Sequence, residues 1–141
     1  MDIEVLKNLV DYGVIAVLGL MSFVSIWFFV ERIMFYRKIN LIEYTNKKKF
    51  DIAVTKHLTI IGTIASNAPY IGLLGTVIAI MLTFMTMGNG EIEASKIMSS
   101  LALALKATAI GLVVAIISQI FYNILGRFAE VLESDFEAKE I

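Results

Sequence analysis

The chain is predicted to be an all-α integral membrane protein with three transmembrane helices, an outside N-terminus and a C-terminus in the cytoplasm, and three observations predict it. Of its 141 residues, 58% are hydrophobic and 18% charged, with a mean hydropathy of +0.80, which is more apolar surface than a soluble domain of this size can bury. Three uncharged runs carry that composition, and each reaches the roughly 20 residues that cross a bilayer at about 1.5 Å per residue. Positive charge is concentrated in one connector, which sets the orientation.

The first run, 12–30, lies between Asp11 and Glu31 and spans once. Asp2, Glu4 and Asp11 outweigh Lys7 ahead of it, and Phe28-Phe29-Val30-Glu31-Arg32 offers no small-residue cleavage site, so we expect it to remain as a span rather than to be removed as a leader. The second run, 58–90, is longer than a span needs. Its first half carries Thr59, Thr63, Ser66 and Asn67 ahead of Pro69, the only proline. A helix that starts in the cytoplasm, enters the membrane near 66–70 with a bend at the proline, and spans about 66–87 accounts for this. The third helix is expected to start near Ser95 and to span about 98–126, ending at Arg127.

The connector 31–57 holds Arg32, Arg37, Lys38, Lys47, Lys48, Lys49 and Lys56, against Lys7 before the first span and Lys96 before the third. The positive-inside rule places it in the cytoplasm. The tail, 127–141, repeats Phe128, Val131, Leu132 and Phe136 at helical spacing among Glu130, Glu133, Asp135 and Glu137. It reads as an amphipathic extension of the third helix that packs on the connector, with a partner-docking site as the other reading. The whole is one membrane domain, 1–141.

Catalytic chemistry finds no support. Neither the connector nor the tail is long enough for an independent core. His57 has no cysteine or second histidine to complete a metal site and reads as an interfacial residue. Glu91 and Glu93 fall in a short external turn. Gly72-Leu73-Leu74-Gly75-Thr76 lacks the lysine of a phosphate loop and lies within a span. No enzyme activity, cofactor, metal or nucleic-acid partner is expected; the bilayer is.

Within the third helix, Ser100, Ala104, Thr108, Gly111, Ala115, Ser118 and Tyr122 step by three or four and form one narrow small or polar face, with Gln119 at its margin. In the second, Thr76 falls in line with Ser66 or Asn67, Tyr70, Leu73, Ile80 and Thr83. Such faces serve close helix packing or a polar path, and periodicity leaves both open. Thr76, Thr108, Ser66, Ala104, Gly111, Ala115 and Ser118 are the ion-pathway candidates. Lys106 lies 21 residues before Arg127, about 32 Å along a helix. That puts it at the outer interface, where it snorkels or stands as a charged residue at a pore mouth. No Asp or Glu occurs inside any span, so a proton path here needs a carboxylate from another chain.

Ile64-Ala65-Ser66-Asn67-Ala68-Pro69-Tyr70-Ile71-Gly72-Leu73-Leu74-Gly75-Thr76-Val77-Ile78-Ala79-Ile80-Met81 resembles the second-span signature of the ExbB/TolQ/MotA proton-channel family. Ala104-Leu105-Lys106-Ala107-Thr108-Ala109-Ile110-Gly111-Leu112-Val113-Val114-Ala115-Ile116, followed by Tyr122-Asn123, resembles its third-span signature. The resemblance implies a homopentameric ring around the membrane helices of a smaller, single-span ExbD/TolR-type partner that supplies the aspartate. It implies that proton flow across the bacterial inner membrane powers transport across the outer membrane through a TonB-like protein. The two family threonines match Thr76 and Thr108, facing that aspartate. The chain departs from the family pattern at Leu103, where a glutamate is common, at Ile117, where a proline is common, and in its short connector. The short loops argue against the flagellar-motor branch, and the second-span wording favours the ExbB-like branch over the TolQ-like one. A TolQ-like subunit and a non-conducting membrane scaffold are the alternatives.

Overall fold

The computed structural model describes residues 2–88 and 93–139 and is all-helical there. Helix α1 covers Ile3–Lys38, α2 Lys47–Thr55, α3 Leu58–Gly88 and α4 Ala94–Lys139, with a 3-10 turn at Leu41–Glu43 between α1 and α2. α1, α3 and α4 are each long and apolar enough to cross a membrane, and each overruns the span expected for it by one or more turns. α1 carries Glu4 in its first turn and Arg37 and Lys38 in its last, charges that complement its dipole.

The connector is ordered by short polar caps. The Asn40 side chain accepts from the Ile42 amide at 3.0 Å, and that of Asn46 from the Lys48 amide at 2.9 Å, satisfying donors at two helix starts. His57 turns the chain from α2 into α3 at a φ of 71°, and its ring stacks on Phe28 at 4.3 Å. α3 runs on through Pro69. Ahead of the proline, the Ser66 hydroxyl donates to Gly62 O at 2.9 Å and the Asn67 amide to Thr63 O at 2.8 Å.

α3 and α4 form an antiparallel hairpin. Gly72 lies against Thr108, Gly111 against Ala68, and Gly62 against Tyr122. α1 packs on both and runs parallel to α4, since Ser25 meets Ser118 and Phe29 stacks on Phe121. The start of α1, the end of α3 and the start of α4 therefore share one end of the bundle, and the connector and tail the other. Glu91, expected in an external turn, lies outside the described residues.

At the connector end, Tyr36, Phe50, Val54, Leu58, Ile61, Leu125, Ala129 and Phe136 form a buried cluster. The tail is the helical extension the sequence predicts, packed on the connector: Phe136 stacks on Phe50 at 4.5 Å, and Lys47 pairs with Glu137. Lys139 donates to Leu41 O at 2.6 Å and Tyr44 O at 2.9 Å. The buried face differs in part from the one expected. Leu125, Ala129, Leu132 and Phe136 point inward, whereas Phe128 and Val131 are exposed, because α1 and α2 meet α4 along the line continuing its membrane contacts.

Candidate functional site

Midway along the α3–α4 hairpin two glycines let the backbones touch. A Cβ on Gly72 would sit 2.6 Å from Ala107 O, and one on Gly111 would sit 2.6 Å from Ala68 O. Both neighbours are backbone, so neither can yield, and the register of the two helices is fixed here. One turn beyond Gly72, that register brings Thr76 opposite Ala104 and Thr108.

Thr76 is buried, at 6% exposure. Its hydroxyl lies 2.8 Å from Ala104 O and 3.2 Å from Gly72 O, and it is hydrogen-bonded to the Thr108 hydroxyl. A hydroxyl has one hydrogen and two acceptor positions. With Thr76 donating to Ala104 O, Thr108 donates to Thr76. Thr108, which is only partly buried, then keeps its acceptor positions unused. Thr108 also lies 3.4 Å from Gly72 O, an alternative acceptor for the same proton. Two hydroxyls and two carbonyls thus form a small relay in which donors can be exchanged without creating charge.

The other sequence candidates divide. Ala104 belongs to this layer through its carbonyl. Gly111 is the close-approach point one turn away. Ala115 is buried beside Leu18 and Ile64, and Ser118, at 1% exposure, shares a hydrogen bond of 2.8 Å with Ser25 of α1. These four meet other helices of the same chain rather than open space, so close packing is what they do here. Ser66 is exposed, on the connector half of α3. Lys106 is exposed, at a cleft shared with Asn8, Asp11, Tyr12 and Leu103. That places it level with the polar start of α1.

Two buried polar residues escaped the sequence reading. Ser25 was hidden within an apolar run, and its signal was its presence there among Phe and Ile neighbours. Arg32 counted only as connector charge, yet it is 3% exposed. It bonds Glu31 twice, donates to Ala53 O at 2.7 Å, and lies 4.3 Å from the Phe35 ring, so it ties α2 to the end of α1. Among the described residues no three His, Asp or Glu side chains come together to hold a metal ion.

Comparison with known proteins fits this arrangement. Residues 37–138 match the model of the MotA/TolQ/ExbB proton channel family. The chain is 50% identical over 136 residues to the biopolymer transport protein ExbB of Helicobacter pylori strain J99, covering 96% of this chain and 94% of the relative. It is 47% identical over 136 residues to the ExbB of Aquifex aeolicus, covering 96% and 92%. It is 42% identical over 77 residues to the Tol-Pal system protein TolQ of Haemophilus influenzae, covering 54% of this chain and 34% of that protein. Three spanning helices, a threonine pair on their tightest contact and these matches lead to one conclusion: the chain is a multi-pass membrane protein that belongs to the MotA/TolQ/ExbB proton channel family.

Proposed function

We propose that the chain is the channel and stator subunit of an ExbB-like machine, coupling the proton-motive force across the inner membrane to TonB-dependent transport across the outer membrane. It works as a homopentamer around a single-span, ExbD-like partner whose membrane carboxylate carries the proton, with the connector and tail in the cytoplasm. It is not an enzyme and uses no cofactor. The observation that carries the reading is the Thr76–Thr108 pair. A relay of uncharged hydroxyls presents acceptor positions at the edge of a helix hairpin whose spans hold no carboxylate of their own. A neutral carboxylic acid docked at Thr108 finds an acceptor for its proton, and an ionised one finds a hydroxyl that can turn to donate.

Similarity along nearly the whole chain to ExbB proteins, against about half of it for TolQ, favours the ExbB-like branch. The scaffold alternative rests on the packing role of Ala104, Gly111, Ala115 and Ser118, which accounts for those small residues without any path. Native mass spectrometry of the gently extracted complex, with and without the co-expressed single-span partner, separates the two. A pentamer retaining a substoichiometric partner is the expected result. A monomer or dimer that ignores the partner would overturn the channel reading.

A further inference from the structure

Where the tail meets the connector, two acidic side chains are set against each other. Lys47 pairs with Glu137 and Phe50 stacks on Phe136, while Val54 and Ala129 share the buried cluster farther along, so α2 and α4 pack antiparallel. One turn on from Lys47 is Asp51, and one turn back from Glu137 is Glu133. The two acids therefore stand opposite each other on the same strip of contact. Both are half-buried. Asp51 Oδ1 is cut off from solvent and finds no hydrogen-bond partner among the described residues, a costly arrangement for a charged acceptor.

The surroundings do not relieve it. On α4, Glu130 and Glu137 add negative charge; on α2, Lys47 opposes them and pairs with Glu137. From α1, Tyr36 donates its hydroxyl to Val54 O, and burial pushes its pKa up to about 12, so it stays neutral. Arg32 is held by Glu31 and Ala53 O. Burial, and after it the Asp51 charge, hold the Glu133 carboxyl above its ordinary 4.5.

We propose that Asp51 and Glu133 form a pH-sensitive latch between connector and tail, in which one proton taken from the compartment the connector faces is held between the two carboxylates. A protonated carboxyl gains one donor. That donor supplies the hydrogen bond Asp51 Oδ1 lacks, and the proton halves the negative charge of the pair. The docked Glu133 binds a proton more readily than the undocked one does. The latch is therefore fully closed below 4.5 and is released as the pH rises through the higher value that docking gives Glu133. The latch lies at the connector end and is independent of the Thr76–Thr108 relay.

The chain has no cysteine, so a single nitroxide on Ile52→Cys, exposed on α2, reports docking of the connector in the full chain held in lipid nanodiscs. The mobile fraction of its spectrum is expected to rise at least about threefold from about pH 4.5 to about pH 7.5. With Glu133→Gln, which is neutral and a donor at every pH, the fraction is expected to stay at its acid level throughout. Asp51→Asn, which removes the like charge, is expected to flatten the rise as well. A flat profile in the parent would overturn the latch, as would the parent's rise persisting in Glu133→Gln. Persistence in Asp51→Asn would show that Glu133 acts without its partner and would overturn the pair. His57, just beyond α2, is shifted the other way by burial, so loosening on acidification would assign the response to the histidine and contradict the proposal.

Discussion

Along the one α3–α4 pair, Gly72 and Gly111 bring two backbones into contact where the helices are mostly apolar, while toward the connector Leu125, Ile61 and Phe136 fill the space with large side chains around Phe50. Lipid tails are as apolar as leucine, so in the membrane half burying a large side chain against another helix gains little. Contact must come from close approach and from hydrogen bonds such as Thr76–Thr108 and Ser25–Ser118. The connector half carries Lys47, Lys48 and Lys49 on a short helix that water would otherwise surround. There, burial of aromatic surface is the dominant attraction. One helix pair therefore obeys two sets of rules within its own length, and the site lies in the half where backbone proximity, not side-chain volume, sets the geometry.

Deleting volume should hurt the connector half most. Phe136, at 1% exposure, stacks on Phe50, and Phe136→Ala is expected to cost about 3–5 kcal/mol locally. Protease cutting within 41–55 should accelerate while the spans stay folded. Loss of the spans as well would show that the two halves are not separable. Adding volume should hurt the membrane half. Gly111→Val pushes a side chain into Ala68 O and Gly72, at about 3 kcal/mol, the upper part of the overpacking range. Thermal unfolding in detergent would register it, and an unchanged midpoint would contradict the close-approach account.

The comparison also marks what could be read from the sequence. Hydropathy located all three spans because twenty uncharged residues have few other uses, and the matched signatures named Thr76 and Thr108. Which small residue meets which was beyond periodicity, since Gly111 and Ala115 read equally well as pore face or contact face until the antiparallel register put Gly72 opposite. The inward line of the tail could have been read by continuing the α4 contact face through Leu125, Ala129, Leu132 and Phe136. Exposed Phe128 and Val131 misled because hydrophobicity alone does not say which face a neighbour takes. Buried Arg32 had little local signal beyond its adjacent Glu31 and Phe35 one turn on, because the Ala53 carbonyl that holds it comes from α2, across the connector.

Smaller effects sharpen the contrast. Ser25→Ala and Ser118→Ala each remove the same bond, so a double-mutant cycle should return a coupling of about 0.6–1.7 kcal/mol, the span measured for hydrogen bonds between membrane helices. Zero coupling would mean that the serines act only through their size. The smallest effect belongs to His57, whose pKa burial against Phe28 holds below its ordinary 6.5. Because the folded state binds that proton less readily than the unfolded one, its contribution is intact above 6.5 and fades as the pH falls below it. His57→Gln should flatten the acid side of the stability profile in that window, and an unaltered profile would discharge the histidine from that role.

The central claim is that the Thr76–Thr108 hydroxyls carry the proton rather than merely fasten the hairpin, and the most direct test is partner-dependent proton flux in liposomes for Thr108→Val beside Thr108→Ser. The account predicts that valine, equal in size but without a hydroxyl, abolishes flux while leaving the assembly mass unchanged, and that serine retains it. Full flux through the valine variant would contradict the account.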